Sequence, residues 1–364
     1  MNTRETVSSA PAEMNLTRQC PLVVCGQAVV RGERIATGSV PGRGDVHAPF
    51  AGKVAHVDPY RIRIVPEGDG EVEPDFPAGL DGSELLAGLR ALGADLPESA
   101  RTETLIINGV DAEPGESSRR ALLTDHKETL LTGLRALTKG YGPERIVLAV
   151  PNGAVNRLPD MECVEIPPQY PAGLDPLVAK AATGSEAPEN TLVVGLETVF
   201  HAGRIAETGL PVLETMVTVE GQARLIPLGT AVGAVLEEAG VEILDRDRIV
   251  LGGVLRGRTA ASPAQGIDRN AGAVQLVRNP APVAEDAACV GCGECVRRCP
   301  ARLDPSMITS YAEFGLYDKA EAEGVDVCFE CGLCGYFCIA RRPMLQYIRL
   351  AKNELAKAKA GEDQ

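Results

Sequence analysis

Eight cysteines fall into two runs of identical spacing, Cys289-x2-Cys292-x2-Cys295-x3-Cys299 and Cys328-x2-Cys331-x2-Cys334-x3-Cys338. This is the bacterial ferredoxin spacing for [4Fe–4S] clusters. Three thiolates two residues apart can wrap three irons of a cube from one tight loop. The fourth cysteine, three residues further on, sits on a departing helix and faces away. In two-cluster proteins that fourth cysteine ligates the other cluster. The expectation is therefore two [4Fe–4S] clusters. One is held by Cys289, Cys292, Cys295 and Cys338, the other by Cys328, Cys331, Cys334 and Cys299. Glycines between the ligands (Gly291, Gly293, Gly332, Gly335) leave room and backbone N–H groups for the sulfides. Tetrahedral zinc also uses Cys-x2-Cys pairs, but two successive four-cysteine runs with the same 2-2-3 spacing weigh against it. Pro300 follows the first run and Ile339 the second; the proline helps to end the loop and is not a ligand.

Three of the eleven cysteines remain: Cys20, Cys25 and Cys163. With no histidine cluster nearby, and with Cys25 inside the apolar run PLVVC, they read as small buried thiols. The four histidines (His47, His56, His126, His201) are scattered, form no ligand pattern and receive no catalytic role.

The cysteine loops need a scaffold. From about residue 281 the sequence predicts a ferredoxin-like helical domain with a helical linker, PSMITSYAEFGLYDKAEAEG, between the runs. Its closing amphipathic helix, MLQYIRLAKNELAKAKA, carries lysines toward the end that suits its dipole. Upstream, residues 1–19 read as a flexible polar tail. Residues 20–68 alternate apolar and polar positions around glycine corners, as in a small barrel-sandwich hybrid of short strands. Residues 69–205 alternate helix (SELLAGLRALG; SRRALLTDHKETLLTGLRAL) with buried strand (TLIINGV, RIVLAV, TLVVGL), which is the signature of a parallel, Rossmann-like sheet. Residues 206–280 read as a β-grasp of the soluble-ligand-binding type, with Thr230 as cap of the helix TAVGAVLEEAG. The fold class is multidomain α/β and α+β.

The net charge of −14 argues against nucleic acid, which selects a basic face. From residue 286 on, the chain carries 12 acids against 10 bases, so most of the negative charge lies upstream. Arg297, Arg298, Arg302, Arg341 and Arg342 flank the cluster cysteines. No apolar run reaches the roughly 20 residues that cross a bilayer, and the first residues do not read as a secretory signal. Many cysteines without an export signal suggest a reducing compartment, hence a cytoplasmic protein.

By its motifs the chain resembles the C subunit of the Rnf electron-transport complex and its relatives, cousins of the flavin-carrying, NADH-binding subunit of respiratory complex I. The match rests on VVRGERIATG with VHAPFAGKV, on LIINGVDAEPG, QYPAGLDPLVAKAATG and VTVEGQARLIPLGT, and on the paired cysteine runs ending in QYIRLAK. The resemblance implies a subunit working among other redox-complex subunits, with any membrane association peripheral, on the cytoplasmic face and through partners. It also implies FMN on the sheet domain, cradled by a glycine-rich loop before the LIxN strand. Here that stretch is LRALGADLPESARTETLIING, residues 89–109. It holds one glycine before the strand, Gly93, and places Asp95 and Glu98 where a phosphate would sit. Asn108, Asp111 and Glu113 persist as a vestige of the flavin site. The expectation is an electron-transfer subunit without FMN and without direct NADH oxidation, and no catalytic residue is assigned. An acidic ferredoxin or flavodoxin-type carrier suits the arginine-flanked clusters. The alternative is an FMN-dependent NAD(P)H reductase of the same family, like its cobalamin-reductase relatives, with an altered flavin loop.

Overall fold

The computed structural model describes residues 10–362 apart from residues 18, 39–41, 77–78, 100, 160 and 281–287. The described residues form a mixed α/β structure with four sheets. The chain divides into two compact units, Met1–Gly253 with Arg258–Arg278, and Val254–Gly257 with Asn279–Gln364.

The first unit begins with two small antiparallel sheets. One orders its strands Ala12–Asn15, Arg61–Pro66, Gly52–Asp58 and Ala28–Val29; the other runs Gln19–Pro21, Arg34–Gly38 and Val46–His47. Ile35, Val54, Ile62 and Ile64 fill the space between them. The strand Ala12–Asn15 corrects the expectation of a flexible tail over residues 1–19, of which residues 1–9 lie outside the described residues. Ala12 and Met14 are buried, and Glu13 between them accepts Arg61 and Arg63 on its carboxylate at 3.4 and 3.1 Å. A second correction concerns Cys20 and Cys25, which are exposed rather than buried; Cys25 lies in a turn and donates its S–H to Ala55 O at 3.3 Å.

A four-stranded, all-parallel sheet follows, ordered Glu162–Ile166, Arg145–Pro151, Thr104–Asn108, Thr191–Gly195. Both faces are covered, as parallel sheets require. Leu105 and Ile107 join a core that also contains the first two sheets, while Ile106 faces Val178 and Ala179 of the helix Asp175–Thr183. The predicted single helix SRRALLTDHKETLLTGLRAL forms as two, Ser118–Asp125 and Lys127–Tyr141, because His126 leaves helical geometry with its ring edge against Phe200. The second of these meets the helix Leu196–Thr208 backbone to backbone. A Cβ at Gly133 or Gly203 would collide with Val199 O or Thr129 O.

A five-stranded mixed sheet completes the unit, with the helix Val232–Glu238 on it. Ala231, not Thr230, occupies the cap position; the Thr230 hydroxyl instead donates to Pro227 O at 2.7 Å.

Burial of two neutral histidines in this unit predicts a pH dependence. His47 and His201 are both held down to about 4, first by burial and then by Arg269. Below pH 6.5 the unfolded chain therefore takes up protons that the folded chain refuses until about pH 4. Stability is full above pH 6.5 and falls as pH drops toward 4. Between pH 7.5 and 5 each histidine is expected to remove about 2 kcal/mol. Urea unfolding at the two pH values checks this, and His201→Gln should recover its share of the loss. A pH-independent midpoint would contradict it.

The second unit is helical: Glu294–Arg297, Pro305–Glu313, Tyr317–Ala322, Leu333–Tyr336 and Met344–Glu362, with a 3-10 turn at Val325–Val327. Its core joins Ile308, Ala312, Ala320, Val325, Met344, Ile348 and Ala351. Among the described residues no helix is long and apolar enough to cross a membrane.

Candidate metal centres

The two cysteine runs fold alike, each residue of the second lying 39 positions after its counterpart in the first, and the backbone says why. Left-handed residues recur at matching places: Gly291 (φ +68°) and Glu330 (+54°), Gly293 (+71°) and Gly332 (+74°), Arg302 (+58°) and Arg341 (+53°). Each run therefore turns twice before a one-turn helix, Glu294–Arg297 or Leu333–Tyr336, carries its third cysteine. Each then passes into a longer helix, Pro305–Glu313 or Met344–Glu362. Asp304 caps the former by accepting from Ser306 N and Met307 N at 2.9 and 3.1 Å. Backbone N–H groups aim at sulfur within the loops: Gly291 to Cys289 Sγ at 3.5 Å, Glu330 to Cys328 Sγ at 3.4 Å, and Leu303 to Cys299 Sγ at 3.4 Å.

Cys289, Cys292, Cys295 and Cys338 line one cavity of about 190 Å³, together with Val290, Val296, Asp304 and Ile339. Cys299 lies near the other trio. Burial pushes the Cys334 thiol up to about 12, and the neighbouring thiols of Cys331, Cys328 and Cys299 add to it. Burial likewise raises Cys331 to about 11, with Cys328 and Cys299 adding. A metal bound here must displace the protons of these thiols, so its binding releases protons. A [4Fe–4S] cube fits this donor set: four sulfurs about one cavity, N–H donors to sulfur, and left-handed turns that keep side chains out of the loop.

The two places differ in exposure. Cys289 is exposed, as are Val290 and Ile339 beside it at 63% and 69%. Cys331 and Cys334 are buried, and a Cβ on Gly332 between them would strike the backbone of Leu255.

The other sequence-predicted residues are placed elsewhere, at the end of the parallel sheet. Asn108 is fully buried, and its amide donates to Gly173 O at 2.9 Å and Asp175 Oδ1 at 2.7 Å while its oxygen accepts from Val110 N. Asp111 accepts from Arg119 N at 2.9 Å and meets Arg120 at 3.5 Å; burial raises its pKa. Glu113 is buried against Gly253. Arg119 clamps Glu197 with two bonds of 2.9 Å and also donates to Val110 O. Burial opposes the Glu197 charge, yet Arg119 holds its pKa low. Sequence reading misses this pair, whose members are 78 positions apart. It also misses Glu330, although aligning the two runs sets it opposite Gly291.

Residues 281–339 match the family model described as a 4Fe-4S dicluster domain. Over most of its length the chain is similar to curated proteins. It is 25% identical to the C subunit of an ion-translocating oxidoreductase complex of Rhodobacter capsulatus, across 94% of this chain and 77% of that one. It is 27% identical to the C subunit of a Na(+)-translocating ferredoxin:NAD(+) oxidoreductase complex of Acetobacterium woodii, across 95% and 90%. Against the C subunit of the ion-translocating oxidoreductase complex of Pectobacterium carotovorum it is 29% identical, across 92% of this chain and 52% of the relative. A solved chain of an NAD+-reducing [NiFe]-hydrogenase aligns at 16% identity and a TM-score of 0.43, over 68% of this chain and 56% of that one. The expected resemblance to C subunits of ion-translocating redox complexes is thus met by relatives bearing that name.

Proposed function

We propose that this chain is an electron-transfer subunit of a larger redox complex, relaying electrons between protein partners without oxidising NADH itself. The observation that carries the reading is the pairing across the two runs. Cys289, Cys292, Cys295 and Cys338 line one cavity, and the Cys299 thiol lies within electrostatic reach of Cys331 and Cys334. These two sets would hold two [4Fe–4S] clusters, which supply one-electron storage and transfer when bound. The protein's part is to fix the sulfurs, aim N–H groups at them and bury the second set more deeply than the first.

The upstream sheets are read as a barrel-sandwich hybrid, a degenerate Rossmann-like domain and a β-grasp, serving as docking surfaces. A flavin does not fit the residues present. The expected phosphate cradle carries Asp95, whose carboxylate already takes Arg43, Gly44 N–H, Arg269 and Asn270. The Asn108 amide is spent on Gly173 and Asp175. Around the first cavity Arg297 and Arg298 are 61% and 54% exposed. With exposed Val290 and Ile339 they suit an acidic ferredoxin or flavodoxin-type carrier. Attachment to a membrane would be peripheral, on its cytoplasmic face and through partner subunits.

Protein purified anaerobically tests this. About eight irons per chain, a broad cluster absorption and no released flavin are expected. Far fewer irons, released FMN, or bleaching by NADH without a partner would each overturn it, the last two in favour of a flavoenzyme.

A further inference from the structure

The two runs match position by position, yet one position breaks the match in a costly way. Where the first run has Gly291 the second has Glu330, a non-glycine residue at φ +54°. The left-handed conformation is strained for a residue with a side chain, so that side chain must return something. Glu330 lies one residue before Cys331. Its carboxylate accepts from Arg349 Nε at 2.9 Å and Lys352 Nζ at 3.0 Å, both on the closing helix. Lys352 also donates to Cys328 O at 2.7 Å, and Arg349 to Arg256 O at 2.7 Å. All three side chains are only 25–30% exposed, so their charges are weakly screened. Among the described residues the first run has only a more exposed counterpart, Glu294 tied to Arg297 and Arg298, whose arginines are 61% and 54% exposed; its other nearby charges include Asp304 in the cavity wall and Arg342 paired with Glu313.

The geometry points to Glu330, Lys352 and Arg349 as a potential-setting triad for the second centre, acting on its reduction potential and not on that of the first. The inference rests on the cluster reading above and deepens it. Reduction adds negative charge to a cluster, and net charge is one of the protein's levers on potential. Lys352 stabilises the reduced state and Glu330 disfavours it. Removing each charge must therefore move the same potential in opposite directions.

The experiment is an EPR-monitored potentiometric titration of the full chain with its clusters reconstituted, comparing Glu330→Gln, Lys352→Met and Lys352→Arg. In Glu330→Gln one of the two transitions should shift to higher potential. In Lys352→Met the same transition should shift lower, and Lys352→Arg should restore it. The other transition should stay in place throughout. A merely structural triad would lose iron, broaden both signals, or shift both variants the same way, and any of these overturns the proposal. So would unmoved potentials with full iron content, which leaves the cluster reading standing. A parent chain lacking a second centre overturns both.

Discussion

Cys338→Ser is expected to lower the iron content from about eight to about four per chain and to abolish the signals of the first centre, although Cys338 belongs to the second run. The mirror change, Cys299→Ser, should abolish the second. Spacing alone does not separate this from the simpler scheme in which each run keeps its own four cysteines. The cavity favours crossing, because it is lined by Cys338 and not by Cys299. Combined replacements make the distinction sharp. If the runs cross, Cys292→Ser with Cys338→Ser damages one centre and loses no more iron than either alone. Cys331→Ser with Cys338→Ser damages both. The reverse pattern, with the second pair behaving as one site, would refute crossed ligation. Iron analysis with EPR of the dithionite-reduced protein gives the readout; the retained centre confirms the fold of the single variants and of Cys292→Ser with Cys338→Ser, and circular dichroism that of the pair that loses both.

Legibility in the sequence follows the range of the interaction. The cysteine loops are local: spacing and glycines suffice to place three sulfurs, whereas the fourth, expected on a departing helix, lies just past the one-turn helix that carries the third. The strands Thr104–Asn108, Arg145–Pro151 and Thr191–Gly195 are legible because burial on both faces leaves a continuous apolar run. The edge strand Glu162–Ile166 is not, since exposed Glu162 and Glu165 interrupt its apolar run. Ala12–Asn15 escapes notice because a charged residue sits at its centre, and only Arg61 and Arg63, about fifty residues on, make burying Glu13 acceptable. Glu330 is hidden for the same reason, since its partners lie 19 and 22 positions downstream. Cys20 and Cys25 mislead because apolar company in sequence is not burial, and the chain turns at Cys25.

Asp95 carries the second large effect. In sequence it reads as an obstacle, an anion where a phosphate would sit; in the structure it is a hub. Its carboxylate accepts from Arg43 at 2.8 Å, Gly44 N at 2.9 Å, Arg269 at 3.4 Å and Asn270 at 2.6 Å. It thereby joins the first pair of sheets, the segment before the parallel sheet and the last sheet. Arg269, 9% exposed, also donates to Gly93 O and, at 2.7 Å, to Asp45 O. Burial works against ionising Asp95, but Arg269, the Gly44 N–H and Arg43 hold its pKa below the usual carboxylate range. Asp95→Ala leaves the Arg269 guanidinium buried without its counter-charge. Breaking one side of such a pair costs about 3–5 kcal/mol, a fall in Tm of roughly 10 °C for a unit of this size. Replacing both partners by apolar groups removes the stranded charge, so Asp95→Ala with Arg269→Met should recover much of the loss. Thermal unfolding of the four proteins of this cycle measures the coupling. Additive losses would show that the carboxylate and the guanidinium act independently, and that their pairing is not the joint of the unit.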